Sequence, residues 1–172
     1  MKCIRLSAML CVFAFGAAAD EVIHTVSPAT LKTHLEKQGY EVFAHEDEND
    51  QPQVLVRPIG EQAAAGVEER VGFAMRLTGC GPDEIPFYDR ACDGFEYHAY
   101  LTPGFPINDK VYDAWNSDFG HSRAYVKDNH PRLAWRVSLE GGVTWDHINA
   151  TVVIWRAELA AFLEHLDASM LD

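Results

Sequence analysis

Residues 133–166 read LAWRVSLEGGVTWDHINATVVIWRAELAAFLEHL, and the hydrophobic period changes partway along. Leu133, Trp135, Val137 and Leu139 alternate with Ala134, Arg136 and Ser138, the period of two that turns one face of a strand toward a core. Beyond Gly141-Gly142, the apolar residues Ile148, Val152, Trp155, Leu159, Phe162 and Leu166 recur at steps of 4, 3, 4, 3 and 4, one stripe of a long helix that Thr144 is placed to cap. The stripe is too short for a sustained coiled coil. A half-buried strand feeding such a helix predicts an α+β fold, with helices packed on one face of an antiparallel sheet.

Working upstream, 121–127 and 133–139 flank the turn-rich 128–131 and predict a hairpin. Before it, Ile107, Val111, Trp115 and Phe119 place apolar side chains one turn apart, so 106–119 reads as a short helix. In 95–101, Phe95, Tyr97, Ala99 and Leu101 alternate with Glu96, His98 and Tyr100, and this strand pairs most simply with 67–77 as a second hairpin. Runs 40–44 and 53–57, separated by the acidic 46–52, give a further hairpin. Ser27 as N-cap, Pro28 at the first helical position and Gly39 past the end set a helix over 28–38, with Val26 and Leu31 placed as a hydrophobic staple. Helices never separate the strands regularly, which disfavours a doubly wound parallel sheet.

The first nineteen residues do not belong to that domain. A basic start with Lys2 and Arg5, an apolar run over 6–15 and small residues at Ala17 and Ala19 form a secretory leader, cleaved before Asp20. The run is too short to span a bilayer, which needs about 20 apolar residues, so no stable membrane anchor is expected; Cys11 lacks the small residues that precede a lipidated cysteine. One domain over 20–172, periplasmic or secreted, is the expectation. The chain of 172 residues carries 14 Lys and Arg against 26 Asp and Glu, a net charge of −12. Removing Lys2 and Arg5 leaves 12 basic and 26 acidic residues, a net −14. Such a surface repels phosphate backbones, and nucleic acid is not an expected partner. Cys80 and Cys92 remain as one pair in an oxidising compartment and read as a disulfide. Eleven intervening residues do not suit a redox couple, which places two.

Chemistry-bearing patterns are few. The eight histidines are scattered without the close pairs that announce zinc, and 46–58 lacks the Gly and the bidentate Glu of a calcium loop, so no metal and no cofactor is expected. Ser117, Asp118 and His121 lie within five positions, but triads assemble from distant segments. Gly141-Gly142 before a helix N-terminus suits a turn needing φ > 0 better than an anion site. No nucleophile elbow or phosphate loop is present, and no catalytic residue is assigned. Trp115, Trp135 and Trp155 fall on apolar faces, whereas Trp145 in the first turn of the last helix is a candidate partner contact.

Trp115-Asn116, then Ala124-Tyr125, then Gly141-Gly142-Val143-Thr144, then Trp155 and Phe162, in that order, resemble the bacterial YbjN domain family, described as sensory transduction regulators. The resemblance runs from about residue 25 to 166; the 83–90 excursion and Arg136 depart from the family pattern. It implies a fold similar to type III secretion chaperones, which bind polypeptides and catalyse nothing. The expected function is therefore a non-enzymatic periplasmic protein-binding, chaperone-like or regulatory domain, with another protein or a second copy of the chain as partner. A small-molecule or metal sensor, and then a hydrolase, are the alternatives.

Overall fold

The protein is described here by a computed structural model covering residues 21–59, 72–101 and 109–169. The expected leader and its cleavage point lie outside these residues, as do the predicted strand start at 67–71 and helix start at 106–108. Ten elements follow in order: α1 (Pro28–Lys37), β1 (Tyr40–Glu46), β2 (Pro52–Pro58), β3 (Phe73–Cys80), a 3-10 turn (Phe87–Asp89), β4 (Cys92–Tyr100), α2 (Asp109–Asp118), β5 (Arg123–Lys127), β6 (His130–Ser138) and α3 (Trp145–Ser169). The six strands form one antiparallel sheet in the order β1-β2-β3-β4-β6-β5. The α+β expectation is met.

Local signals explain the boundaries. Ser27 caps α1 in a reciprocal box: Thr30 N–H donates to Ser27 Oγ at 3.2 Å and Ser27 N–H donates to Thr30 Oγ1 at 2.9 Å. Val26 and Leu31 are both buried, as a staple requires. One expectation is corrected. His130 and Pro131, read as linker, belong to β6, and the β5–β6 turn is only Asp128-Asn129, with φ of 52° and 64°. Asp and Asn tolerate this left-handed pair, which matches the twist of a two-residue hairpin.

The in-phase residues of every strand meet the helices in one core. Tyr97 of β4 sits at its centre. Its ring stacks on Trp155 of α3 with centroids 5.2 Å apart and meets Phe73 and Phe95 edge-on. Its hydroxyl shares a 2.9 Å hydrogen bond with Thr151 Oγ1, and burial pushes its pKa above the usual tyrosine range. Five aromatic rings joined through Tyr97, Trp135 being the fifth, contribute specific edge and stacking geometry beyond simple burial. The N-terminal segment is sewn into the same layer. Val26 exchanges both backbone hydrogen bonds with Cys92, and Ile23 exchanges both with Val143, at 2.7 and 2.9 Å.

The Cys80 and Cys92 sulfurs are bonded, joining residues directly opposed in the β3–β4 ladder. The disulfide closes the 81–91 excursion, within which buried Arg90 pairs with Asp83 at 3.1 Å and donates to the Ile85 carbonyl.

Candidate functional site

All three helices pack into one core, so the opposite face of the sheet is built from the out-of-phase residues of the strands. Register places Phe43, Leu55, Ala74, His98, Ala134 and Arg123 in one row across all six strands. A second row runs His45, Gln53, Arg76, Glu96 and Arg136, and Tyr100, Arg132 and Tyr125 form part of a third. No described helix covers this face. Phe43, Leu55 and Tyr100 are 48%, 37% and 47% exposed on this face.

The face is concave. The β1–β2 and β5–β6 turns belong to opposite edges of the sheet, yet Asp47 of the first and Asp128 of the second line the same groove of about 560 Å³, with Arg76, Tyr100 and Arg132 as its floor. Twist brings these diagonal corners toward each other. A continuous polar chain crosses the floor. Asp47 Oδ2 lies 3.1 Å from Arg76 Nε, Arg76 Nη2 donates to Tyr100 OH at 3.2 Å, Arg132 stacks its guanidinium 4.2 Å from the Tyr100 ring centroid, and Arg132 Nη2 reaches Asp128 Oδ2 at 3.5 Å. Asp47 is itself fixed by its own turn, its Oδ1 accepting the Asn49 and Gln51 N–H groups. The acidic 46–50 stretch is thus an Asx-type turn that aims a carboxylate at Arg76.

Beneath Tyr100 lies His98, only 4% exposed although it belongs to the outer face. Its cross-strand neighbours are Ala74 and Ala134, and such small residues leave room for the ring to lie down and for larger side chains to close over it. Nε2 is 3.4 Å from Glu96 Oε1, and neither ring nitrogen makes a hydrogen bond among the described residues. The neighbouring imidazole, with Arg76 and Arg136 adding positive potential, holds the Glu96 carboxyl below the usual carboxylate range despite partial burial. Burial, with the Glu96 charge nearby, raises the Tyr125 hydroxyl.

The residues singled out by the sequence pattern are placed differently, mostly in the scaffold. Trp115 is fully buried, stacked on Phe119 and edge-on to Phe162, and donates through Nε1 to Ser122 Oγ at 3.3 Å. Asn116 hydrogen-bonds the backbone of Ala124. Gly141 and Gly142 have φ of 85° and 88°, and a Cβ on Gly142 would sit 2.5 Å from Val22 and 2.8 Å from His24, so these glycines turn the chain and admit the N-terminal segment. Trp155 and Phe162 are core; Tyr125 alone of this set faces the groove side.

Trp145 is half-buried, stacked on His34 of α1 with centroids 4.0 Å apart, and His34 Nε2 is held 2.7 Å from Asn149 Oδ1. Beside the pair is a shallow groove of about 400 Å³ between α1 and the start of α3.

His121 and His98 do not converge. His121 lies against the core-side Trp135, with Nδ1 2.9 Å from Glu158 Oε1 of α3, while Glu158 Oε2 accepts the Ser122 N–H at 2.9 Å. His121 is thereby oriented by Glu158 rather than by Asp118. Among the described residues no three His, Cys, Asp or Glu side chains gather as metal ligands, and no helix is long and apolar enough to cross a membrane.

No family model, curated protein or solved structure matches the chain.

Proposed function

We propose that this chain is an exported, non-enzymatic binding protein, chaperone-like or regulatory, that engages a polypeptide partner across the open face of its sheet. The observation that carries the reading is a concave sheet face, uncovered by any described helix, on which exposed Phe43, Leu55 and Tyr100 stand among arginines. Aromatic and arginine side chains are the types that dominate protein recognition surfaces. The resemblance to YbjN domains, and through it to type III secretion chaperones, supports the same function. The leader pattern and the bonded Cys80–Cys92 pair support export to an oxidising compartment. Trp145 offers a second contact at the far side of the molecule, and a second copy of the chain is one partner the open face can take.

A photo-crosslinking residue at position 55 on the open face, compared with one at position 153 on the exposed side of α3, tests this reading in cells that export the protein. Crosslinks to polypeptide from position 55 and few from 153 are the expected result. Equal yields from both positions, or none from 55, overturn it.

A further inference from the structure

We infer that the segment bound by the open face is acidic and extended; this deepens the protein-binding reading and rests on it. Six of the chain's 14 Lys and Arg project from this one face: Arg57, Arg76, Arg123, Lys127, Arg132 and Arg136. The strands answer them with only two carboxylates, Glu41 and Glu96, of which the first is 3.8 Å from Arg57 and the second is turned to His98. A basic face on a chain of net charge −12 is a segregation of charge, not a reflection of composition.

Three of the six cations are already committed. Arg57, Arg76 and Arg132 pair with Glu41, Asp47 and Asp128. Arg123, Lys127 and Arg136 make no ion pair among the described residues. Arg123 and Arg136 are diagonal neighbours, because Arg123 stands opposite Ala134 on β6, so their charges are close enough to act together on one carboxylate-bearing segment.

The surroundings select among anions. Six strands at about 4.8 Å spacing make a face roughly 24 Å across, room for about seven extended residues. At its diagonal corners the turns that carry Glu46, Glu48 and Asp128 line the ends of the same groove as an acidic rim. A polyanion longer than the face, such as a nucleic acid, meets that rim with like charge, and a flat anionic membrane cannot seat in a concavity. A short peptide stretch carrying a few carboxylates, with apolar side chains for Phe43 and Leu55, meets the basic floor and stops before the rim. Each guanidinium left free can hold a carboxylate through two parallel N–H donors.

The test uses fluorescein-labelled peptides of Glu-Ser-Glu-Leu repeats, with Gln and Lys replacing Glu in two controls, titrated by anisotropy against the oxidised protein. Oligo-thymidylate and phosphatidylglycerol vesicles serve as competitors. The Glu peptide is expected to bind, to weaken with added salt, and to lose about tenfold in affinity on the Arg123→Glu/Arg136→Glu double variant, a loss worth about 1.4 kcal/mol. Both residues are exposed, and an unchanged thermal midpoint confirms that the variant folds. Arg132→Lys, which keeps the charge but not the fork, is expected to retain part of the binding. Equal binding of the Gln peptide, with no effect of the double variant, overturns the acidic preference and leaves peptide binding standing. Binding of no peptide overturns both. Preference for oligo-thymidylate or vesicles over the Glu peptide overturns the inference in favour of a polyanion or a membrane.

Discussion

Asn116 of α2 holds Ala124 of β5 with both ends of one side-chain amide: Oδ1 accepts the Ala124 N–H at 2.8 Å and Nδ2 donates to the Ala124 carbonyl at 3.0 Å. The amide takes the place of a neighbouring strand. β5 is an edge, and its outward backbone groups are otherwise a template for pairing with another chain. Asn116→Leu is expected to destabilise by about 1–3 kcal/mol, because two backbone groups lose their partner, and to promote association through β5. Asn116→Asp, which keeps only the acceptor, falls between. Urea unfolding and light scattering read the two effects; a monomeric Asn116→Leu of unchanged stability refutes the assignment.

At the β6–α3 turn the two glycines separate by environment. Gly141 has nothing within 4 Å of a built Cβ, whereas Gly142 faces Val22 and His24. Both substitutions to Ala are strained by positive φ, at about 1–2 kcal/mol. Gly142→Ala is expected to cost at least about 1 kcal/mol more than Gly141→Ala, since it also displaces the N-terminal segment. Thermal midpoints of the two variants check the order, and protease cleavage near residues 21–26 should rise only in the second.

Removing the Cys80–Cys92 bond frees a loop with a sequence separation of 12. Chain entropy predicts a loss of about 3 kcal/mol. Denaturant midpoints with and without reductant measure it, and a Cys80→Ser/Cys92→Ser variant should match the reduced protein.

Glu96 gives a pH signature. Its folded pKa lies below the unfolded value of about 4.3, so its stabilising effect is full above that value and declines as acidification passes through the folded pKa. Glu96→Gln should therefore be less stable than the wild type near neutrality, by about 1 kcal/mol, and the gap should close in acid. Paired melts from pH 3 to about pH 7 measure the difference and cancel the other carboxylates. A gap that widens in acid contradicts the pairing with His98.

The elements were legible wherever one period dominated. The 4-3-4-3-4 stripe of α3 and the alternation in 95–101 and 133–139 each correspond to a buried face, and the cysteine pair is bonded as its context suggested. Neighbour order was not legible: β6 rather than β5 lies beside β4, so the chain reaches the outer edge as β5 before returning inward as β6. Pro131 in β6 misled for a local reason. It lacks only an N–H, while its carbonyl accepts from Leu101 at 3.2 Å, so a turn-forming residue serves in a strand.

The candidate site was half legible. Arg57, Arg76, Arg123, Arg132 and Arg136 occupy the out-of-phase positions of their strands, and alternation alone assigns them to one face once the strands share a sheet. Trp145 and the spacing of the histidines carry none of this phase information. The burial of His98 could not be read along the chain, since it depends on Ala74 and Ala134 standing across from it on two other strands.

The mutual backbone bonds of Ile23 and Val143 join residues 120 positions apart along the chain. A chain emerging from a ribosome or a translocation pore, N-terminus first, presents Ile23 long before Val143 exists to receive it. The start of β4 that Val26 pairs with also waits, because Cys92 arrives 66 residues later. Closure of this pair is therefore a late event, since it waits for the β6–α3 turn to appear. Contacts of such long sequence separation also slow folding. A polypeptide built this way ties down its N-terminal segment only after the β6–α3 turn has been made.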